Sequence, residues 1–406
     1  MLSKALVHLD EPYTHQAVVN ALNKSDIVWQ IDESIPQDNA ELQDLGPNVK
    51  LQWLEYELIN WQYLAAHSEY TLSNAYCIRK GLIRKAQLAY NVTKYLSKYP
   101  SSLLKTAIPE TWLFELDHVD YFEEAMNEVF EVERDLLTNE ESGENKHVFI
   151  IKPSMANKAA GITVFNSLDQ LRDIFEETEI SDSEEEDDED VEDLSQVREW
   201  VIQRYIDRPL LFNKRKFHVR AYVLAKSNIQ VYLYRDMLAL FALREYDAEN
   251  VKDNLIHLTN TCIQTDEEEF NEQASVKLFW DLVQDQEEEG QKKVTMADLE
   301  GMFEKMKLIL ADVFDACTSE MTTFQAMPNA FELFGIDFMI DEDFNVYFLE
   351  ANAFPDFKQT GGKLQFIIQE LFEATTRVAI EPFFNGKECN DDKLVKVFEK
   401  ELLSLQ

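Results

Sequence analysis

The segment FELFGIDFMIDEDFNVYFLEANAFP, Phe331 to Pro355, decides how this chain folds. It reads as two apolar strands around an acidic turn. Phe338, Ile340, Val346 and Phe348 occupy both faces, so the hairpin is expected to be buried. Burial makes the carboxylates Asp337 and Glu350 costly unless something pairs with them. A two-residue turn at Glu342 and Asp343 pairs Asp341 with Phe344 and puts Asp337 opposite Phe348. Glu350 then lies about 7 Å away on the diagonal of the same face, and Asn352 follows two residues further on. A three-residue turn would send Glu350 to the opposite face. With the shorter turn, two carboxylates and an amide oxygen form a hard-cation site, suited to magnesium shared with nucleotide phosphates. The plainer reading is an exposed edge carrying ordinary surface acids.

The complementary charge comes from upstream. Val148 to Lys152 reads as a strand ending at a lysine, and KPSMANKAAGITVF runs on as a small-residue loop that holds Lys158. Lys152 and Lys158 can reach phosphates as point charges, and Ala159, Ala160 and Gly161 let backbone come close. The segment lacks the Walker glycine-lysine pattern, which excludes a P-loop. Further strands are predicted at Trp200–Ile206, Lys216–Ala225 and Ile229–Tyr234, the last two joined as a hairpin. Lys216, His218 and Arg220 share one strand face, while Phe217, Val219 and Ala221 take the other. Ile78, Leu82 and Ala86 have helical spacing among Arg79, Lys80, Arg84 and Lys85, so a basic helix is expected there. Helices are also expected over Glu272–Gln284 and Met302–Cys317.

Composition bounds the function. The chain has 406 residues, 45% hydrophobic, enough for more than one core. Its net charge of −39 disfavours nucleic-acid binding, which depends on neutralising phosphates. Cys77, Cys262, Cys317 and Cys389 form no zinc-clasping spacing and read as reduced thiols. The first residues are too polar for a signal peptide, and no stretch is apolar enough to span a membrane. Ten of the twelve positions from Asp182 to Asp193 are acidic, so a disordered loop is expected over 180–195. Ser181 and Ser183, each followed by acids, are candidate sites for an acidophilic kinase. The expected organisation is an N-terminal α/β domain (1–75), a central lobe (76–196) and a C-terminal lobe with the metal hairpin (197–406).

From Arg79 to Pro355 the chain resembles the tubulin-tyrosine ligase-like branch of the ATP-grasp ligases. The motifs IRKGLIRKAQL, KPSMANKAAGI, VIQRYIDRPLL, KFHVRAYVLA, HLTNTCIQ and FGIDFMIDEDFNVYFLEANAFP occur in family order. The resemblance implies an α/β ATP-grasp fold with ATP between two lobes. It places Gln203, Arg204, Tyr205 and Ile206 along the adenine as the hinge, and Lys152, Lys158, Lys216, Thr259 and Asn260 on the nucleotide. His218 lies in the same nucleotide-contacting strand, and Lys85 takes the position of a family lysine near the phosphates. Asp337, Glu350 and Asn352 are implied to hold Mg2+, with Glu350 and Arg220 at the reacting groups.

The activity implied is an ATP-dependent ligase that joins a free amino acid, most simply tyrosine, to a peptide carboxylate such as the α-tubulin terminus. Glutamate or glycine, or another acceptor protein, are the variants. The family usually writes Lys-Phe-Asp where this chain has Lys216-Phe217-His218, and a glycine and an arginine where it has Met237 and Leu240. A nucleotide-binding, ligase-inactive scaffold therefore stands as the alternative. Fungal relatives of similar pattern imply the cytoplasm and its mRNA-processing bodies, with the nucleus also open.

Overall fold

The structure, a computed structural model, describes residues 3–34, 48–143, 147–155, 160–181, 197–260, 263–265, 267, 270–284, 286, 293–353, 355–357 and 361–400. Lys158, Ser183 and the acidic run after Ser181 lie outside these residues. Near the N-terminus, β1 (Ser3–His8) is followed by α1 (Pro12–Asn23), β2 (Trp29–Asp32), β3 (Val49–Leu54) and β4 (Leu72–Ser73). The four strands form a parallel sheet in the order β2-β1-β3-β4. Parallel neighbours need a crossover, and α1 supplies it between β1 and β2. Pro12 presets the first turn of α1, and the Glu11 carboxylate accepts the N–H groups of Tyr13 and Thr14.

The basic helix expected from Tyr76 is two pieces. One turn spans Lys80–Ile83, Arg84 adopts an extended conformation, and α2 (Lys85–Lys98) starts afresh. Tertiary contacts enforce the break: Gly81 donates its N–H to the Thr323 carbonyl, and buried Arg79 pairs with Glu332 at 2.6 Å.

β5 (Thr111–Glu115), α3 (Phe130–Ser142), β6 (Phe149–Pro153), β7 (Thr163–Phe165), α4 (Leu168–Ser181) and β8 (Glu199–Arg204) build a second layer. The strands pair antiparallel in the order β5-β8-β6-β7. Val132 and Leu136 of α3 and Leu171 and Phe175 of α4 cover Phe149, Ile151 and Trp200 of that sheet.

Eight strands make the third sheet: β9 (Leu211–Phe212), β10 (Arg215–Lys226), β11 (Gln230–Tyr234), β12 (Leu238–Phe241), β13 (Val276–Leu278), β14 (Phe331–Ile340), β15 (Val346–Asn352) and β16 (Leu394–Glu399). Two helices flank its hairpin in sequence, α5 (Met296–Thr318) before it and α6 (Gly361–Thr375) after it. β13 and the short helices beside it occupy the stretch expected as a single helix over Glu272–Gln284. Val276 pairs with Leu240 on the sheet edge, and that pairing overrides the local helical pattern.

β10 lies at the centre and is buried on both faces. Phe217, Val219, Ala221 and Val223 pack beneath α5, whose Leu299, Met302, Phe303, Met306 and Leu310 recur at three- and four-residue intervals. Tyr222 and Leu224 face α6 and the N-terminal layer, where Ile367, Leu371, Val18 and Trp53 meet them. Lys216, His218 and Arg220 continue this second face beyond its apolar part. A polar row inside a buried strand thus marks where the core ends and the site begins.

The β14–β15 turn is not the two-residue one. Asp341 pairs with Asn345 across Glu342, Asp343 and Phe344, and Phe344 takes φ 64°. The Asp341 carboxylate selects this loop by accepting the N–H groups of Asp343 at 2.9 Å and Asn345 at 2.8 Å, and the Tyr347 hydroxyl at 3.0 Å. Alone, that turn would carry Glu350 to the wrong face. A bulge at Leu349 restores the parity: Phe338 opposes Phe348, but Asp337 opposes Glu350 directly and Gly335 opposes Asn352.

Gly335 is fixed by space. A Cβ there would sit 2.8 Å from the Cβ of Pro355 and 3.4 Å from the Cδ of Arg220. Gly335→Ala is expected to lower the unfolding free energy by about 1–3 kcal/mol, measured by equilibrium urea denaturation; an unchanged midpoint would show that Pro355 is not held against the sheet.

Candidate functional site

Register brings the charged groups together. Arg220 on β10, Asp337 on β14 and Glu350 on β15 occupy one row across three adjacent strands. The pair is bidentate along one guanidinium edge: Nε donates to Asp337 Oδ1 and Nη2 donates to Oδ2 at 3.0 Å. Arg220 and Asp337 are 4% and 3% exposed, so each charge depends on the other for compensation. His218, one step along the strand face, holds its Nε2 3.5 Å from Asp337 Oδ1 and its Nδ1 2.5 Å from the Thr259 hydroxyl. Burial lowers the His218 pKa to about 4 against the pull of Asp337, so the ring is neutral near pH 7.

Lys85, at the start of α2, places its Nζ 3.3 Å from Glu350 Oε2. Burial would raise the Glu350 carboxyl, but Lys85, Lys152 and Arg220 overcome it and hold the pKa down at about 2. Lys152, at the end of β6, donates to Gln203 Oε1 at 2.9 Å, and Gln203 Nε2 donates to the Thr111 hydroxyl at 2.9 Å. Burial lowers the Lys152 pKa to about 8, with Glu350 opposing. Lys216 donates to the Tyr205 hydroxyl at 2.8 Å, and burial with neighbouring Lys152 lowers its pKa to about 7.

One relay behind Lys216 was not read from the sequence. The Tyr205 hydroxyl lies 2.8 Å from His257 Nδ1, and His257 Nε2 lies 2.8 Å from the Asn250 carbonyl. A carbonyl only accepts, so Nε2 carries the proton and Nδ1 accepts from Tyr205. The single signal for it was the position of His257 at the head of HLTNTCIQ.

The expected hinge divides by strand alternation. Gln203 turns toward Lys152, whereas Arg204 turns away to Asp135 at 2.9 Å. Tyr205 is buried and Ile206 half-buried just past β8, and Asn260 is half-buried beside Thr259. Lys158 lies outside the described residues. Arg79, part of the expected basic helix, is spent on Glu332 and contributes no charge to the site.

Among the described residues, no three His, Cys, Asp or Glu side chains converge to hold a metal by themselves. The hairpin offers two carboxylates and one amide, the donor set that magnesium takes when phosphate oxygens complete its shell. Lys85, Lys152, Lys216 and Arg220 meanwhile outnumber the carboxylates Asp337 and Glu350. A buried cluster with surplus positive charge is chemically matched to a polyanion.

The layers and this charged row define an ATP-grasp protein, the fold shared with a solved relative. That structure is the C-terminal domain of K. lactis Pby1, described as an ATP-grasp enzyme interacting with the mRNA decapping enzyme Dcp2. It is 26% identical, with a TM-score of 0.70 over 99% of this chain and 100% of that one. The chain belongs to the tubulin-tyrosine ligase family, whose profile matches residues 65–388. It is 35% identical to a probable tubulin-tyrosine ligase of Schizosaccharomyces pombe, over 96% of this chain and 95% of that protein. It is 34% identical to the probable tubulin-tyrosine ligase PBY1 of Saccharomyces cerevisiae, and there spans 53% of the relative's length.

The neutral His218 gives a pH signature. Its folded pKa of about 4 lies below the unfolded value of 6.5, so the unfolded chain binds the extra proton between these limits and stability falls as pH drops through them. In EDTA, His218→Asn should flatten the loss of unfolding free energy between pH 7 and pH 4.5 by on the order of 2 kcal/mol. Parallel urea curves at the two pH values check this; equal slopes for both proteins would place the protonation elsewhere.

Proposed function

We propose that the chain is an ATP-dependent carboxylate–amine ligase. The observation that supports it is the single row of Arg220, Asp337 and Glu350, with Lys85 on Glu350 and Asn352 on the same face. In this reading Asp337, Glu350 and Asn352 hold magnesium, and Lys85, Lys152 and Lys216 hold the phosphates. Magnesium, once bound, neutralises charge on the transferring phosphoryl group. An acceptor carboxylate oxygen attacks the γ-phosphorus, ADP leaves, and an acyl phosphate results. An amino acid nitrogen then attacks the acyl carbon, phosphate leaves, and the nitrogen gives up a proton. Arg220 lies where its guanidinium can stabilise the spreading negative charge. The simplest pairing is tyrosine with a peptide carboxylate such as that of α-tubulin, in line with the names of the two fungal relatives.

The departures from the family pattern bear on whether the chemistry persists. His218 and Leu240 are direct cross-strand partners on β10 and β12. Where the family has Asp and Arg, this chain has a neutral ring and an aliphatic side chain in adjacent places. One negative and one positive charge are lost together, so the electrostatic sum at the site is unchanged. Met237 is fully buried on the opposite face of the sheet, in the α5 core, and contributes packing rather than chemistry.

A second reading is a nucleotide-binding scaffold without turnover. Its support is the double hold of Arg220 on Asp337, which occupies a carboxylate the metal needs. The described interaction of the K. lactis relative with Dcp2 suggests decapping factors as its partners and mRNA-processing bodies in the cytoplasm as its place.

Calorimetry separates both readings from no binding at all, and turnover separates them from each other. ATP is expected to bind with magnesium dependence, and Glu350→Gln to lose at least tenfold of that dependence. Phosphate charge also raises the pKa of Lys216 and Lys152, so binding at pH 8 should take up about one proton, seen as a dependence of the heat on buffer ionisation enthalpy and reduced in Lys216→Met. Multiple-turnover ADP formation that requires both a carboxylate peptide and an amino acid, with the amide product formed, establishes the ligase; saturable ATP binding without turnover across the twenty amino acids establishes the scaffold.

A further inference from the structure

His257 reaches the charged site through a neighbour. It closes a single turn of helix, Asn254–His257, which Asp253 caps by accepting the Leu255 N–H at 3.0 Å, and Arg244 pairs with Asp253 at 2.8 Å. Two residues on, Thr259 meets His218. The segment therefore engages the polar row of β10 twice, directly at His218 and through Tyr205 at Lys216. Tyr205 follows β8 of the second sheet and Lys216 lies on β10 of the third, so the three side chains link both sheets.

The Tyr205 hydroxyl has one proton and two neighbours at 2.8 Å, Lys216 Nζ and His257 Nδ1. The Asn250 carbonyl takes the Nε2 proton of His257, which leaves Nδ1 as a lone pair in need of a donor. Tyr205 therefore gives its proton to His257 and presents only an acceptor to Lys216. Were that proton free, it would turn to the amine lone pair and stabilise the neutral lysine, because a hydrogen bond to one protonation state favours that state. Lys216 is sensitive to this choice, since burial and Lys152 already bring it close to neutrality. The groups around the relay leave the arrangement intact. Tyr246 sets its ring edge-on to His257, 5.8 Å between centroids, and donates its hydroxyl to the Asp207 carbonyl at 2.8 Å, so it has no proton to give Tyr205. Burial lowers the His257 pKa against the Asn250 carbonyl, Asp253 and Asp247, with Lys216 adding to the fall, and the ring is neutral at pH 7. Burial also keeps the Tyr205 hydroxyl protonated, with Tyr246 and Asp207 acting in the same direction.

We propose that His257 is a positioning residue of the nucleotide site: by taking the Tyr205 proton it leaves Lys216 facing a lone pair, and so keeps that lysine able to meet phosphate as a cation. The imidazole acts through the hydroxyl rather than on the nucleotide. It sets which way one proton points. The inference rests on the nucleotide-binding reading above, and it holds equally for the ligase and for the scaffold.

The test compares the magnesium–ATP affinity of the full chain at pH 6 and pH 8, by calorimetry, for wild type and His257→Phe. Phenylalanine offers the Tyr205 proton no acceptor, and the Lys216 pKa should drop by about one unit, the worth of one hydrogen bond. The variant should then bind ATP within about twofold of wild type at pH 6, where the lysine is charged in both, and about tenfold more weakly at pH 8. In a Tyr205→Phe background, His257→Phe should leave the ratio of the two affinities unchanged. A nucleotide-free readout runs beside it: the carbon-13 shift of the Lys216 side chain, assigned with Lys216→Met, should titrate about one pH unit lower in His257→Phe. His257→Leu replaces the first variant if urea denaturation shows that phenylalanine prevents folding. An equal loss of affinity at both pH values, an unmoved lysine titration, or the same effect without the Tyr205 hydroxyl overturns the proposal. A wild type that binds no ATP overturns the nucleotide reading instead, and the lysine titration then decides alone whether His257 governs the charge of Lys216.

Discussion

The buried pair between Arg220 and Asp337 constrains everything around it. Two charges with almost no solvent access are tolerable only when each satisfies the other with good geometry. That demand locks β10 and β14 in one register, because a slip of one residue in either strand would turn its charged side chain to the opposite face and leave the other unpaired. Gly335, two residues before Asp337, gives the space in which Pro355 and the arginine stem meet. Pro355 is thereby held against the sheet beside the arginine stem.

Charge is distributed unevenly in this protein. The whole chain carries −39, yet its most protected site gathers four cations around two carboxylates. The cost of holding lysines in such a place shows in Lys152 and Lys216, whose ammonium groups burial has driven toward neutrality. Their partners are a side-chain amide and a phenol, neutral acceptors that position the nitrogen without fixing its charge. The site is thus prepared for an anion and relaxed without one.

Much of this was legible from residues alone. Asp337, Glu350 and Asn352 were placed on one face, and the polar row of β10 was visible as Lys216, His218 and Arg220 alternating with apolar neighbours. The shared face agrees, but the register does not: the turn is one residue longer than expected, and with the Leu349 bulge Asp337 opposes Glu350 directly instead of Phe348. Neither feature has a local signature strong enough to read, because Phe344 is an unusual residue for a left-handed position and Leu349 is an ordinary strand residue. Arg79 and Lys85 looked alike in a basic run, and only tertiary structure sent one to Glu332 and the other to Glu350. The split of Glu272–Gln284 into helix and strand likewise reflects an open sheet edge that no local window contains.

The paired irregularities of the hairpin have an evolutionary consequence. In an antiparallel pair, the number of residues between two facing side chains has fixed parity for a given loop, and the extra residues in turn and bulge cancel. A single-codon deletion in either place would invert every later side chain of β15 and carry Glu350 and Asn352 out of the site. Deletion in both places would return them. The two positions are therefore coupled as strongly as any contacting pair of side chains, although they never touch. Lineages related to this one should carry both irregularities or neither, and an alignment that places a gap in one alone has put it in the wrong place.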